Sequence, residues 1–213
     1  MPGAPTIRPV RPGDIPALYE IALITGDAGA DATALYRDPE LVGALYAVPY
    51  AVLEPQSAFV IEDEAGVAGY IVGTLDTPAF EARLEAQWWP ALRERYADPA
   101  GNPAGWNLDE IGAWQIHHPR PASARLTEPY PSHLHINLRP RLQGQGLGKA
   151  IIETWLAAMR KAGSRGVHLG VSVRNERGLA FYPKLGFTEF QWPKRRAEAG
   201  AIYFVMPLPS SRG

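Results

Sequence analysis

The residue types and spacing best suited to chemistry fall in the run His133-Leu-His-Ile-Asn-Leu-Arg-Pro-Arg-Leu-Gln-Gly-Gln-Gly-Leu-Gly-Lys149. Pro140 stops an extended segment that ends at Leu138, and Gln143-Gly144-Gln145-Gly146-Leu147-Gly148 then leads directly into a helical pattern. Spaced glycines let a backbone come close to a ligand and present successive N–H groups. The free N–H groups and dipole at a helix start favour an anion there. The run therefore predicts a phosphate cradle that a pyrophosphate would fit. A tight turn that merely uses glycine is the plain alternative; the strand before, the helix after and the three spaced glycines weigh against it. No Lys-Ser/Thr pair closes the loop, so it is not a Walker loop. Its late position also separates it from the dinucleotide fingerprint, which belongs to the first β-α unit of a doubly wound fold. His133, His135 and Asn137 share one face of the strand, and Leu134, Ile136 and Leu138 the other, by the period of two. A histidine there can accept a proton near neutral pH or serve as a satisfied structural side chain.

Such a loop must be held by a sheet and a seated helix. Ser132–Leu138 reads as a strand, 139–148 as the glycine-rich loop, and Leu147–Ala162 as a helix with an apolar stripe of Ile151, Ile152, Trp155, Leu156 and Met159. Val167–Val173 predicts a strand, Glu176–Leu185 a helix, and Phe187–Gln191 and Ile202–Leu208 two further strands. Upstream, Thr6–Val10 is a short extended piece. Pro12-Gly13-Asp14 turns into a helix carrying Ile15, Leu18, Tyr19 and Ala22, with Asp14 as cap and Pro16 in the first turn. A second helical stretch runs near Ala32–Ala47, broken at Pro39, with Leu35, Leu41, Leu45 and Val48 as core contacts. Ser57–Glu62 and Val67–Leu75 flank Asp63-Glu64-Ala65-Gly66 as a hairpin. Pro78–Tyr96 reads as one long helix with Phe80, Leu84, Trp88, Leu92 and Tyr96 four apart, which leaves Trp89 off the stripe. Residues 97–131, rich in Pro and Gly, read as a long loop with a short strand at Ala113–Ile116; such a loop often shapes a binding site. The sum is a mixed α/β (α+β) domain with a parallel β-α-β unit in its second half.

The 213 residues fit a single domain over 1–213, with its core over 6–208. The 21 Lys+Arg against 22 Asp+Glu give a net charge of −1, which argues against a general nucleic-acid binder. Arg outnumbers Lys 17 to 4, which reads as genome composition bias. The absence of cysteine removes disulfide scaffolds, thiol nucleophiles, Cys zinc sites and iron–sulfur clusters, and is compatible with a reducing cytosol. The most apolar run, Val42–Leu53, is too short to span a bilayer and is broken by Pro49. The N-terminus lacks the apolar core of a signal peptide. A cytoplasmic protein without a membrane or nucleic-acid partner is expected.

Gln143-x-x-Gly146-x-Gly148 after a strand resembles the pyrophosphate-binding motif of the GNAT acetyltransferases. Asn175-Glu-Arg-Gly-Leu-Ala-Phe-Tyr182-Pro-Lys-Leu-Gly-Phe187 resembles that family's second signature, in which an Asn opens the last helix and Tyr-x-x-x-Gly-Phe closes it. Ile7 through Leu23 is similar to the family's opening strand and helix, so the resemblance covers most of 6–208 and is poorest over 97–131. Tyr130-Pro-Ser-His-Leu-His-Ile-Asn-Leu138 with Gly144-Gln-Gly146, and Gly166-Val-His-Leu-Gly-Val-Ser172, are further similar to the acetyltransferase-like C-terminal domain of eukaryotic O-GlcNAcase. These 213 residues leave no room for a glycoside hydrolase domain, so hexosaminidase activity does not carry over.

The resemblance implies a GNAT fold, a mixed twisted sheet of about seven strands flanked by helices. It implies acetyl transfer from acetyl-CoA to an amine acceptor, a small molecule or a peptide, by direct attack in a ternary complex. By the same resemblance the backbone of Gln143, Gly144, Gln145, Gly146, Leu147, Gly148 and Lys149 holds the pyrophosphate. The Leu138 N–H meets the thioester carbonyl as oxyanion donor, Asn175 contacts the pantetheine arm, and Tyr182 is the general acid. A core aromatic beside Phe181 is the alternative for Tyr182. Many GNAT members carry a Glu base on the strand of His135 and none stands here; His135 is the candidate base, with a satisfied structural histidine as the alternative. GNAT domains often form homodimers. The acceptor site could draw on Trp106, Trp114, Tyr130, His117 or His118, or on Asp109 and Glu110 for a cationic amine; packing, a surface pair and solvated charge are the alternatives. Arg139 and Arg141 flank the cradle and could meet coenzyme phosphate. His168 reads as structural, and Lys194, Arg195 and Arg196 as a solvated basic turn. Five scattered histidines without cysteine make a poor metal site, so no metal is expected. Two other readings stay open. One is a non-catalytic recognition domain that binds a peptide or protein in the acceptor groove. The other is use of a different acyl donor, such as succinyl-CoA.

Overall fold

The computed structural model describes residues 3–192 and 200–209, so the Lys194–Arg196 cluster lies outside the described residues. The strands are β1 (Thr6–Pro9), β2 (Ala58–Asp63), β3 (Gly66–Thr74), β4 (Ser132–Leu138), β5 (Gly166–Ser172), β6 (Thr188–Glu189) and β7 (Ala201–Pro207). They form one sheet in the order β1-β2-β3-β4-β5-β7-β6, antiparallel throughout except between β4 and β5. The helices are α1 (Ile15–Leu23), α2 (Leu41–Tyr46), α3 (Val48–Leu53), α4 (Thr77–Gln87), α5 (Trp89–Arg95), α6 (Leu108–His117), α7 (Ala124–Thr127), α8 (Leu147–Lys161) and α9 (Glu176–Phe181).

Strand alternation sorts the sheet into two cores. Val60, Tyr70 and Val72 pack with Leu18, Ile21, Leu41, Tyr50, Phe80 and Ile116 from the helices of the first half. Ile61, Ile71, Leu134 and Leu169 face the opposite way, under the α8 stripe of Ile151, Ile152, Trp155, Leu156 and Met159. Gly73 lies on the α8 face and lets the Trp155 ring approach the backbone, while the Trp155 indole N–H donates to the Ser57 carbonyl at 3.0 Å.

The first half departs from the sequence pattern where proline acts. The break near residue 39 proves to be a series of turns, and Leu35 is exposed; the helix begins only at Leu41 and breaks again at Ala47, two residues before Pro49. The long helix over 78–96 is two helices with a break at Trp88 (φ −117°), because the Pro90 ring cannot follow an uninterrupted turn. The break rotates Trp89 into the core at 7% exposure and leaves Trp88 half-buried, its indole N–H donating to the Ala44 carbonyl at 2.9 Å. The stretch 97–131 is not one loop, and the strand expected at Ala113–Ile116 lies within α6. A reciprocal cap starts that helix: Asn107 Oδ1 accepts from the Glu110 amide (3.0 Å) and Glu110 Oε2 from the Asn107 amide (2.7 Å). The helix expected over 176–185 narrows to a 3-10 turn at Tyr182–Leu185, where Pro183 ends the α-helical pattern.

A Gly73→Ala substitution would bring a Cβ to 2.3 Å from the His133 carbonyl oxygen and 2.6 Å from Trp155 Cζ2. It is expected to cost about 3 kcal/mol in urea unfolding. Gly105→Ala, whose Cβ meets nothing within 4 Å, should be near neutral; equal midpoints for the two variants would refute the close-approach argument.

Candidate active site

The parallel strands β4 and β5 pair only at Ser132↔Val167 and His133↔His168. Beyond these residues they part. β4 stays bonded to β3 from Thr74↔His133 to Gly69↔Leu138, and the Arg139 amide continues that ladder by donating to the Ala68 carbonyl at 2.8 Å. Antiparallel amides alternate in direction, so Asn137 and Arg139 face β3 while the amides of Ile136 and Leu138 are directed into the opening between β4 and β5.

The glycine-rich loop closes one end of this opening. Gly144 (φ 74°) and Gly146 (φ 79°) occupy the left-handed region, and Gly146 stands at the N-cap of α8. A Cβ at either position would meet nothing within 4 Å, so the backbone conformation and not crowding demands glycine there. No side chain caps α8 and no acidic residue lies in its first turn, which leaves its leading N–H groups available to an anion. Gln143 is a clamp: its Nε2 donates to the Leu138 carbonyl (3.0 Å) and its Oε1 accepts from Arg177. Gln145 Nε2 donates to the Arg141 carbonyl at 2.6 Å. Lys149 is exposed, 3.7 Å from Glu153. Asn175 Oδ1 caps α9 by accepting from the Gly178 amide at 2.8 Å.

Tyr182 is buried at 8% exposure among Phe181, Phe187 and Phe204, so its ring is indeed a core aromatic. Its hydroxyl carries no hydrogen-bond partner among the described residues and is not sealed from solvent. Burial raises its pKa, keeping the proton on Oη.

On the helical face of β4 the polar side chains form two hydrogen-bonded groups, one around His133 and His135 and one around Asn137. Tyr50 Oη lies 2.7 Å from His133 Nε2 and 3.1 Å from His135 Nε2. The Tyr70 hydroxyl donates to Asn137 Oδ1 (2.9 Å), and Asn137 Nδ2 donates to Thr25 Oγ1 (2.6 Å). The Tyr46 ring lies 5.9 Å from that of His135, and the Tyr46 hydroxyl donates to Gln115 at 2.6 Å. Burial lowers the pKa of all three inner histidines: His133 well below the usual range, with His168 and His135 adding to it; His135 to about 4, helped by His168; and His168 despite its bond to the Tyr130 carbonyl.

Other candidates lie elsewhere. His117 bonds to the Tyr96 carbonyl and His118 pairs with Asp98 at 2.9 Å. Trp114 packs with Trp106, His118 and Arg120, and Tyr130 with Phe190. Asp109 accepts from the amides of Arg37 and Asp38, and Glu110 is a cap. Arg139 pairs with Glu20 and Arg141 with Asp63, each at 2.7 Å, so both cations already have carboxylate partners. Among the described residues no three His, Asp or Glu side chains converge on a metal position, and no helix is long and apolar enough to cross a membrane. Tyr50, Tyr46 and Thr77 were not singled out by the sequence, because an aromatic in an apolar run and a threonine at a helix start carry no distinguishing pattern.

Residues 30–187 match the model of the acetyltransferase (GNAT) family. The chain belongs to that family. The solved structure of SsHAT is 38% identical, with a TM-score of 0.86, and the match covers 97% of this chain and 100% of that one. Protein O-GlcNAcase of Rattus norvegicus is 27% identical over 184 residues, 86% of this chain but 20% of that protein. The chain thus spans about a fifth of that relative's length. Mycothiol acetyltransferase of Salinispora tropica is 35% identical over 112 residues, 52% of this chain and 33% of that protein. The seven-strand mixed sheet is the GNAT fold. The family's donor, acetyl-CoA, carries an anionic pyrophosphate between its pantetheine arm and its adenosine, and the two left-handed glycines with the uncapped start of α8 fit that group.

The histidines set an acid limit on stability. Each has a folded pKa below its unfolded value of about 6.5, so the unfolded chain binds protons that the fold refuses. Their contribution is complete above pH 6.5 and is lost as pH falls toward about 4, the value for His135. Unfolding free energy should fall by up to about 1.4 kcal/mol per pH unit for each histidine between pH 6.5 and 5. Urea titrations at pH 7, 6 and 5 read this slope; a flat profile would contradict the buried neutral cluster.

Proposed function

We propose that this acetyltransferase moves the acetyl group of acetyl-CoA to the amine of a small molecule or peptide by direct attack in a ternary complex. The observation that carries this reading is the parting of β4 and β5 beside the uncapped N-terminus of α8. In this reading the amides of 143–149 hold the pyrophosphate and Asn175 borders the pantetheine arm. The bound coenzyme supplies an acetyl group activated as a thioester. The Leu138 N–H, directed into the opening, donates to the oxygen that becomes negative at the reacting carbonyl. Tyr182 keeps its proton at neutral pH and offers it from a hydroxyl that has no hydrogen-bond partner among the described residues. A thiolate of ordinary pKa, about 8.5, is less basic than this phenolate, so Tyr182 acts chiefly as a hydrogen-bond donor there. His135, with a pKa of about 4, is neutral at pH 7 and free to accept the proton that the amine loses. It holds that proton weakly and passes it to water. The chain has no cysteine for an acyl-enzyme.

Thermal unfolding with acetyl-CoA tests the donor. At about a hundredfold over Kd the gain is roughly 2.7 kcal/mol, or a rise of about 5–10 °C for a domain of this size. Release of free CoA across a panel of amines tests the transfer. No rise at millimolar coenzyme would refute the reading and leave a recognition domain in its place. Gly146→Ala, which strains the 79° position, should abolish the rise while costing the fold only about 1–2 kcal/mol. Tyr182→Phe should keep the rise and lower turnover about 100-fold; unchanged turnover would remove Tyr182 from the mechanism.

A further inference from the structure

The polar chain on β4 has a direction, and it is set at its far end. Thr77 Oγ1 lies 2.7 Å from the Pro131 carbonyl oxygen and 2.7 Å from His133 Nδ1. A carbonyl can only accept and a threonine hydroxyl has one proton, so that proton goes to Pro131. His133 must then bring its own proton on Nδ1. Burial keeps His133 neutral, so its Nε2 is a lone pair, 2.7 Å from Tyr50 Oη. The single phenol proton points there. His135 Nε2, 3.1 Å from the same oxygen, is left to donate. We propose that Thr77, His133 and Tyr50 are positioning residues that hold His135 in its Nε2–H tautomer and leave Nδ1 as the lone pair that receives the acceptor's proton.

His135 Nδ1 has no partner among the described residues and is not sealed from solvent, while the Tyr46 ring flanks the imidazole at 5.9 Å. The chain orients a proton and does not conduct one, since the Pro131 carbonyl at its end has no proton to release and no basicity to hold one. In the reaction the acceptor nitrogen bonds to the acetyl carbon, the C–S bond of the thioester breaks with its electron pair leaving on the CoA thiolate, and an N–H bond of the acceptor breaks. The proton goes to Nδ1, and the imidazolium returns it to water. A base aligned by a second hydrogen-bonded group is a recurring arrangement, here built from hydroxyls and a second histidine instead of a carboxylate. The catalytic half of this inference rests on the transferase reading; the tautomer does not.

Nitrogen-15 NMR of histidine side chains in the full chain reads the tautomers directly. The expected result is a protonated Nε2 on His135 and a protonated Nδ1 on His133. Thr77→Val removes the hydroxyl at nearly constant shape and keeps the Thr77 amide bond to Pro131 (2.9 Å). Without an acceptor at Nδ1, His133 should move its proton to Nε2, turn the Tyr50 proton toward His135, and convert His135 to the Nδ1–H form. Turnover should then fall about 100-fold with KM for acetyl-CoA unchanged, and Thr77→Ser should restore both tautomers and turnover to within about threefold. A wild-type His135 protonated at Nδ1 overturns the proposal without any variant, as does a T77V protein whose His135 keeps Nε2–H. Tautomers as expected with wild-type turnover in T77V overturn the catalytic half. Absence of transfer by the wild type overturns the transferase reading instead and leaves the tautomer control standing.

Discussion

After Ser132↔Val167 and His133↔His168, β4 and β5 share no further ladder pairs. Each strand is held on its outer side, β4 by six pairs to β3 and β5 by seven pairs to β7. These attachments carry the two strands apart, and β4 keeps amides directed into the space between them. Backbone groups in such a place need partners. The glycine loop, the start of α8 and the Gln143 clamp stand around that space. Gln143 answers the Leu138 carbonyl from within the chain. It leaves the Leu138 amide alone, so the end of β4 presents a donor and not an acceptor.

The same strand has a second face whose polarity is resolved differently. His133, His135 and Asn137 project toward the helices of the first half, where a charge would be costly. They are matched by Tyr50, Thr77, Tyr70 and Thr25, all neutral hydroxyls. A hydroxyl can donate to one neighbour and accept from another, so a row of them transmits direction along the chain. A buried carboxylate in the same position would have raised the histidine pKa values and held a proton near neutral pH. The hydroxyl row keeps them low.

The second half of the chain was legible in the sequence because its chemistry lies in the backbone. Only glycine meets the conformational demand at 144 and 146, so the loop is written in residues that have few other reasons to be there. Ser132–Leu138 and the α8 stripe followed from periods of 2 and 3.6 with little competition. The first half was less legible because proline placed the breaks. Pro39, Pro49 and Pro90 are equal as letters, yet only packing decides which one ends a helix and which merely precedes one; Trp88 and Trp89 exchanged burial for that reason. The helix at 108–117 carried its signal in Asn107 and Glu110, three apart, which outweighed the short apolar alternation at 113–116. His135 was visible as a residue type. Its partner Tyr50 was not, nor was Thr77, the partner of the neighbouring His133, since they come from elements 85 and 56 positions away along the chain and meet the two histidines only through tertiary packing.

The two arms of the parted sheet are also joined from outside it, by the turn that follows α1. Thr25 accepts from Asn137 on β4 and donates to the Ile21 carbonyl in an enclosed setting, at 2.6 Å each. A few residues on, Asp27 meets Arg174 at the end of β5 at 2.6 Å, and Gly29 lies against the Asn175 side chain. The two ties are unequal. The Arg174 side chain is 71% exposed, and such pairs contribute little once solvent and salt screen them. The Thr25–Asn137 bond is sheltered and belongs to the same network as Tyr70. The segment is thus anchored on the β4 arm and only lightly held on the β5 arm. Asn175 caps α9 with its oxygen. The position of β4 is therefore fixed by β3 alongside it and by the segment after α1, while β5 is held by β7 and meets the histidine chain where His133 pairs with His168.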